Sequence, residues 1–483
     1  MTDSALKALA EIITTQTEAL QAAYARAGAQ VPSINAPFQP SPLEFDPNIN
    51  NIRQLIVAAA SQLIATVQSP IEIIQLHTGG MFETATLGFV VDVNVPDLLK
   101  EAGSKGLHVD DISAATGVDA SYLSRILRFL ATRHIFKEVS PNVFANNRNS
   151  SLLLKSKTLQ EIKDDPIARF DNAPSAAFVH MLSAEPLEAM SCFPSYIKDP
   201  SQAATMFNLK FQTPLTLWEW SAQPGYEWRA RRIAAVMNGT DAQYSAEEFV
   251  SAISSSSASL QENDIIVDVG GSTGSACLTL KKAFPQLRYV VQDLEQPIAS
   301  AKKFWAENDP EAVESGRVKL EDFEFGLTMP SLSPFPLLST VHSFFTPQPI
   351  KNASIYFLRN IIHDWSDSEC KKILGHLREA AGLESKLVAF GTLARHTCED
   401  SRLLENLAED MSDSKIQKSP YPLLGNLGVG GEGFSTMMDM GTMLFLAGKE
   451  RTRDEFEQLG KETGWKLESV RPGKLAAFIY SVV

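Results

Sequence analysis

Asp264-Ile-Ile-Val-Asp-Val-Gly-Gly-Ser-Thr-Gly-Ser275 decides the fold. Ile265 to Val269 is a β-branched run with the length and composition of a buried strand. Glycines at 270, 271 and 274 then let the backbone turn and approach a ligand closely at the strand's carboxyl end, before a helix over Ala276 to Phe284. Further runs at Tyr289–Gln292, Val318–Leu320, Ser354–Leu358 and Leu387–Phe390 alternate with helical stretches. That alternation predicts an α/β domain built on a parallel sheet. Counted from Gly270 or Gly271, the G-x-G-x-x-G spacing of dinucleotide sites fails, which argues against a nicotinamide cofactor. Asp293 follows the second strand, where a carboxylate can accept hydrogen bonds from ribose hydroxyls. Glycine turn and carboxylate together point to a nucleoside-type cofactor.

A second stretch, Tyr356-Phe-Leu-Arg-Asn-Ile-Ile-His-Asp-Trp-Ser-Asp367, delivers a His-Asp-Trp turn to the edge where open α/β sheets gather their reactive groups. An imidazole titrates ordinarily at about 6.5, so His363 is suited to take a proton from a phenol or other acidic hydroxyl.

The chain before this region reads as helical. Thr2 to Ala29 is an Ala/Gln/Glu-rich helix, and the proline-rich stretch Val31 to Asn51 is a linker. Apolar residues recur at helical spacing from Ile52 to Thr66, then through Ile71–Leu76 and Thr84–Val91. Asp110–Thr116, Gly117, Ala120–Ala131, Ile135–Val139 and Val143–Ala145 give helix, turn, helix and hairpin, the winged-helix order. Arg125, Arg128 and Arg133 would serve DNA binding there, but the second helix is largely apolar and a packing module is the better reading. An aromatic-rich helical region runs from Pro166 to Met237, and glycines 425, 428, 430, 431 and 433 mark residues 399–434 as a flexible insertion before a helix over Ser435–Ala447.

With 483 residues, 44% hydrophobic and 21% charged, the chain is long enough for at least two folded domains without metal or disulfide support. Its net charge of −14 and lack of a basic cluster argue against nucleic acid or an anionic membrane as partner. Cys192, Cys277, Cys370 and Cys398 form no CxxC pair, so no metal site is expected. Without a leader-like segment or a long apolar run, a cytoplasmic protein is expected.

Val267-Asp-Val-Gly-Gly-Ser-Thr-Gly274, Gln292-Asp-Leu294, Glu321-Asp-Phe323, Leu358–Asp367 and Gly448-Lys-Glu-Arg-Thr452 stand in the order seen in caffeate-type O-methyltransferases. From about Ile52 onward the chain resembles the fungal branch of that S-adenosylmethionine-dependent family. The resemblance implies a Rossmann-like methyltransferase domain over 251–483, with the insertion at 399–434. Preceding it would be an all-α, winged-helix domain over 52–250 that serves dimerisation and closes the substrate pocket, after an N-terminal helix and linker over 1–51. It implies S-adenosyl-L-methionine as cofactor, a homodimer and a small-molecule acceptor. Residue by residue, Gly270, Gly271 and Gly274 match the family's cofactor turn, Asp293 its ribose carboxylate, and Asp322 with Phe323 its adenine side. Arg359 stands where plant members often carry a cofactor-contacting Lys; a solvated strand-end arginine is the other reading. His363 matches the general base and Glu450 the carboxylate that positions it, with an ordinary helix-start Glu as the alternative. Phe178, Phe211, Trp218, Met237, Met438 and Met443 are candidates for an apolar wall around an aromatic or polyketide-type secondary metabolite, or for plain core.

One position departs from the family. Where a second orienting carboxylate usually follows the strand at Leu387–Phe390, this chain has Gly391 and then Thr392. The alternative function is accordingly a methyltransferase-like pericyclase or dehydratase that keeps the fold without transferring methyl. Ser272, in place of a glycine within the turn, is a smaller change.

Overall fold

The structure is a computed structural model that describes residues 2–241, 244–256, 260–323, 344–400 and 418–483. The chain divides into two compact units, Met1–Gln243 with Ser419–Phe434, and Tyr244–Lys418 with Ser435–Val483.

The first unit is helical. Thr2–Arg26 lies against Pro47–Val67, where Tyr24, Ile49 and Ile52 are buried together. The second helix starts inside the expected linker because Asp46 accepts the Ile49 N–H at 2.9 Å and Pro47 takes the first turn. The linker itself is tied down. Ile34 O accepts the Arg148 N–H at 2.9 Å, and the Phe38 N–H donates to Ser151 Oγ at 2.7 Å.

The winged-helix order holds. Helices Val109–Thr116 and Ala120–Ala131 lead into strands β2 (Lys137–Ser140) and β3 (Val143–Ala145), and β1 (Leu107–His108) adds a third strand beside β3. Leu123, Leu127 and Leu130 are buried, while Arg128 bonds Asn142 and faces Glu138, and Arg133 pairs with Glu83. Two of the three arginines that a DNA-binding helix would present thus have partners within the protein.

The glycine-rich segment is not a free insertion at its end. Helical turn Gly428–Gly431 lies against Pro47–Val67 so closely that a Cβ on Gly430 would sit 2.4 Å from Gln54 O. Gly430 serves close backbone approach there. Residues 401–417 of the expected insertion lie outside the described residues.

In the second unit a seven-stranded sheet has the order β6-β5-β4-β7-β8-β10-β9. Its strands are β4 (Ile265–Val269), β5 (Arg288–Leu294), β6 (Val318–Phe323), β7 (Ile355–Arg359), β8 (Lys386–Gly391), β9 (Trp465–Arg471) and β10 (Ala476–Val482). β6, β5, β4, β7 and β8 are parallel neighbours, as expected. The C-terminal pair, unforeseen in the sequence reading, is antiparallel, and β10 inserts between β8 and β9.

Alternate residues face two apolar layers. Val267, Val269, Tyr356, Leu358 and Leu387 pack with helix Asp367–Ala380 and with Phe456 and Leu459, while Ile266, Val291, Ile355, Phe357 and Val388 pack with helices Ala246–Ser256, Ser275–Ala283 and Glu295–Asn308. Burial on both faces explains why these strands read as apolar runs rather than alternating patterns. Helix Ala246–Ser256 belongs here through Phe249, Ala252 and Ile253, so the observed division falls at 243/244, a few residues before the boundary expected from sequence. Among the described residues no single helix is long and apolar enough to cross a membrane.

Candidate active site

From β4 the chain runs to β5 and β6 on one side, then to β7 and β8 on the other. The order therefore reverses between β4 and β7, the crevice where open α/β sheets bind ligands. The glycine turn leaves β4 there, and the His363 turn leaves β7.

The turn is built on left-handed backbone, with φ of +75° at Gly270, +53° at Ser272 and +76° at Gly274. Gly270 and Gly271 each donate a backbone N–H to Gln292 O, at 2.8 and 3.0 Å. A Cβ on Gly270 would lie 2.3 Å from Ile361 Cδ1, one on Gly271 2.6 Å from the Asp268 carboxyl, and one on Gly274 2.8 Å from Trp305 Nε1. Gly270 and Gly274 are required by dihedral angle as well as by fit, Gly271 by fit, and Ser272 carries the strain of a side chain in the left-handed region.

Asp293 closes the turn from β5. Its Oδ2 accepts the Ser272 N–H and its Oδ1 the Leu294 N–H, both at 2.7 Å. Burial pushes its carboxyl above the ordinary range, opposed by those two N–H groups. A carboxylate has about four lone-pair sites, so two bonds to backbone leave capacity for ribose hydroxyls. These groups fit a nucleoside-type cofactor, with bare backbone on one side and an acceptor with spare lone pairs on the other. Arg359 Nη2 donates to Ser275 Oγ at 3.3 Å, against the first turn of the helix that follows the glycines. Asp322 and Phe323 end β6 as the register partners of Asp293 and Leu294, but their side chains lie outside the described residues.

His363 sits in the 3-10 turn Ile362–Asp364 just past β7. Its Nδ1 is 2.9 Å from Glu450 Oε1 and its Nε2 is 3.2 Å from Asp364 Oδ1. The side chain is 21% exposed against 4% for Glu450, so one edge of the ring stays accessible while its anchor is shielded. Burial alone would lower the imidazole's pKa, but the Asp364 charge and the Glu450 hydrogen bond outweigh it and raise it to about 9. Burial raises the Asp364 carboxyl to about 6 against the pull of His363. Glu450 is itself fixed, because its backbone N–H donates to Asp439 Oδ1 at 2.8 Å.

The sequence pairing of His363 with Glu450 is therefore present in space. Asp364 on Nε2 was not foreseen, although its place beside the histidine was the available signal. Gly391 leaves room at the missing carboxylate's position, with Phe456 Cζ 4.0 Å from a built Cβ.

The expected pocket residues divide between the units. Phe178 faces Phe434 at 6.1 Å between rings, while Phe211 packs on Phe207 and Trp220 at 5.0 and 5.3 Å, an aromatic cluster within the helical unit. Trp218 is half-buried on Leu217–Ser221, and Met237 is 46% exposed. Met438 and Met443, both half-buried, lie on Gly433–Phe445 in the sheet unit.

Comparison with known proteins agrees with this geometry. The O-methyltransferase dimerisation domain family matches residues 76–156, and the O-methyltransferase domain family matches 226–321 and 338–411. An O-methyltransferase of Armillaria gallica is 33% identical over 97% of this chain and 95% of its own length. The 4-O-methyltransferase 1 of Phanerochaete chrysosporium is 31% identical over 97% and 96%. Among solved structures, one described as a pericyclic reaction enzyme shares the fold with a TM-score of 0.63 at 19% identity, covering 89% of this chain and 94% of that one. With a methyltransferase turn at the sheet's switch point and fungal O-methyltransferases similar along nearly its whole length, the chain belongs to the S-adenosylmethionine-dependent O-methyltransferase family.

Proposed function

We propose that the enzyme methylates a hydroxyl of an aromatic or polyketide-type secondary metabolite, with His363 as general base. The observation that carries this reading is the imidazole at the sheet's carboxyl edge, bound at Nδ1 by a shielded carboxylate. Glu450 holds the Nδ1 proton and so makes Nε2 the nitrogen that exchanges protons with an acceptor. Asp364 shares the Nε2 proton while the site is empty of acceptor. Once Nε2 is free of its proton, it takes the hydroxyl proton as the oxygen attacks in line. Bound S-adenosylmethionine supplies an electrophilic methyl group on its sulfonium sulfur.

We assign Gly270, Gly271, Gly274 and Asp293 to the cofactor, with Arg359 beside the turn and Asp322 and Phe323 toward the adenine. A charge-assisted hydrogen bond is worth about 1.5–3 kcal/mol, so Asp293→Ala should raise the calorimetric Kd for S-adenosylhomocysteine about 10- to 100-fold. An unchanged Kd would remove Asp293 from the cofactor site. Phe178, Phe211, Trp218 and Met237 of the helical unit, and Met438 and Met443 of the sheet unit, are proposed as apolar pocket residues, and hydroxyl methylation is also supported by a relative named 4-O-methyltransferase 1.

The working form proposed is a homodimer. The matched dimerisation family is one support. Ile64, Val67, Ile71, Ile74, Met81 and Phe82 are another, each more than half exposed on consecutive helices, an apolar area that a second copy would cover. Light scattering at micromolar concentration should give twice the chain mass; a monomer would overturn the proposal.

A fold shared with a pericyclic reaction enzyme, together with Gly391, keeps one other reading in view. Mass spectrometry of a phenol panel incubated with S-adenosylmethionine separates the two. A methyl mass gain supports transfer, whereas isomerised or dehydrated products without it support the alternative.

A further inference from the structure

Glu450 is followed by an arginine whose side chain is fully buried. Arg451 Nη1 donates to Ile362 O at 2.6 Å and to Lys449 O at 3.4 Å, Nη2 to Trp365 O at 2.9 Å and to Asp367 Oδ1 at 2.7 Å, and Nε to Asp367 Oδ1 at 3.0 Å. A guanidinium has five N–H donors in a rigid fork, and here each has an acceptor. Ile362 and Trp365 immediately flank His363 and Asp364, so the fork grips the turn on both sides of the base. Cys370 Sγ approaches the same two carbonyls at 3.3 and 3.4 Å.

The arginine's own backbone is held as well. Its carbonyl accepts the Ala394 N–H at 3.0 Å beyond β8, and the preceding Glu450 N–H is held by Asp439. Two adjacent residues thus govern both halves of one contact, with Glu450 reaching the ring and Arg451 holding the backbone that carries the ring.

We propose that Arg451 is a positioning residue for methyl transfer: by bridging the Ile362 and Trp365 carbonyls it sets the His363 imidazole against Glu450 and Asp364. It acts through His363 and touches no substrate, so the proposal rests on His363 being the base. Lysine has three donors on a single nitrogen and cannot span two carbonyls and a carboxylate. Arg451→Lys keeps the charge while releasing the turn.

A readout independent of the acceptor is the titration of His363 in S-adenosylhomocysteine-saturated enzyme, followed by NMR of ¹³Cε1-labelled histidine. The chain has eight histidines, and the His363 signal is the one lost in His363→Ala. In Arg451→Lys the midpoint should fall by about one pH unit toward the ordinary imidazole range, as contacts that favour the charged ring loosen. With any phenol that the wild type methylates, kcat should fall about 100-fold, while KM for S-adenosylmethionine changes little. In a Glu450→Gln background the same substitution should cost no more than about 2-fold, because both changes act through one pair.

A purely structural role would lower kcat equally at every pH, leave the midpoint in place and multiply with Glu450→Gln; that result overturns the proposal. Should Arg451→Lys not fold, Asp367→Asn removes the fork's half-exposed carboxylate partner and should move the midpoint the same way by a smaller amount. An unmoved midpoint there is equally fatal. If instead His363→Ala still methylates at the wild-type rate, the base assignment itself falls, an outcome separable from an unmoved titration.

Discussion

His363→Ala should lower kcat for methyl transfer by about 1,000-fold while S-adenosylhomocysteine still binds, because general base catalysis contributes about 10²–10⁴-fold and the imidazole is separate from the glycine turn proposed to cradle the cofactor. The wild-type pH dependence carries the same information. The base must be neutral to accept a proton, and a pKa raised to about 9 means that the charged ring is favoured over most of the physiological range. Thus kcat/KM should rise with pH through that value and fall about tenfold per pH unit below it. Replacing Glu450 by Gln removes one of the groups that hold the proton, so the limb should move down in pH while the maximum falls as the ring loses its anchor. A limb centred near about 6.5 in the wild type would show that Asp364 and Glu450 do not act on His363 as their distances imply.

Gly448→Ala is the second large effect. A Cβ at this position would lie 1.9 Å from His363 O and 2.7 Å from the Asp364 carbonyl carbon, closer than a Cβ packs against non-bonded atoms. Both neighbours are main chain, so no rotamer change relieves the clash. Either the Gly448–Arg451 segment withdraws, taking Glu450 from the imidazole, or the His363 turn moves. Overpacking typically costs about 1–3 kcal/mol, and the rigid backbone places this case at the upper end. Displacing the base by about 1 Å costs about 100-fold in rate. Thermal unfolding and turnover should therefore fall together, with cofactor binding less affected. A variant with wild-type kcat would show that the segment has slack which the structure does not display.

Much of the sheet was legible because its signals are local. A doubly buried strand must be an apolar run, and a tight strand-to-helix turn needs glycine where φ is positive, so β4, β5, β7 and β8 and the turn at 270–274 could be read within a residue or two. Asp293 and His363 could be singled out for the same reason, since one lies at the end of β5 and the other just past β7 at the sheet's reactive edge. Glu450 came from the resemblance of its motif; nothing in the spacing from 363 to 450 reveals a 2.9 Å contact. The C-terminal hairpin was missed because the place of β10 depends on pairing with β8, some ninety residues earlier, from Ala476↔Gly391 to Ser481↔Lys386. At Gly430 the glycine also permits contact with the backbone of Gln54 and Ala58, a close approach that composition alone does not reveal.

The sequence alone determined the parallel α/β class, the winged-helix module and the nucleoside-type turn, and it singled out His363, since each is encoded in a contiguous stretch whose chemistry acts over a few residues. Only the tertiary structure decided that Gly448 abuts the His363 carbonyl and that Arg451 grips both sides of the His363 turn. Those features are close approaches between segments distant in sequence, and they depend on backbone position in three dimensions, for which residue identity along the chain carries no local signal.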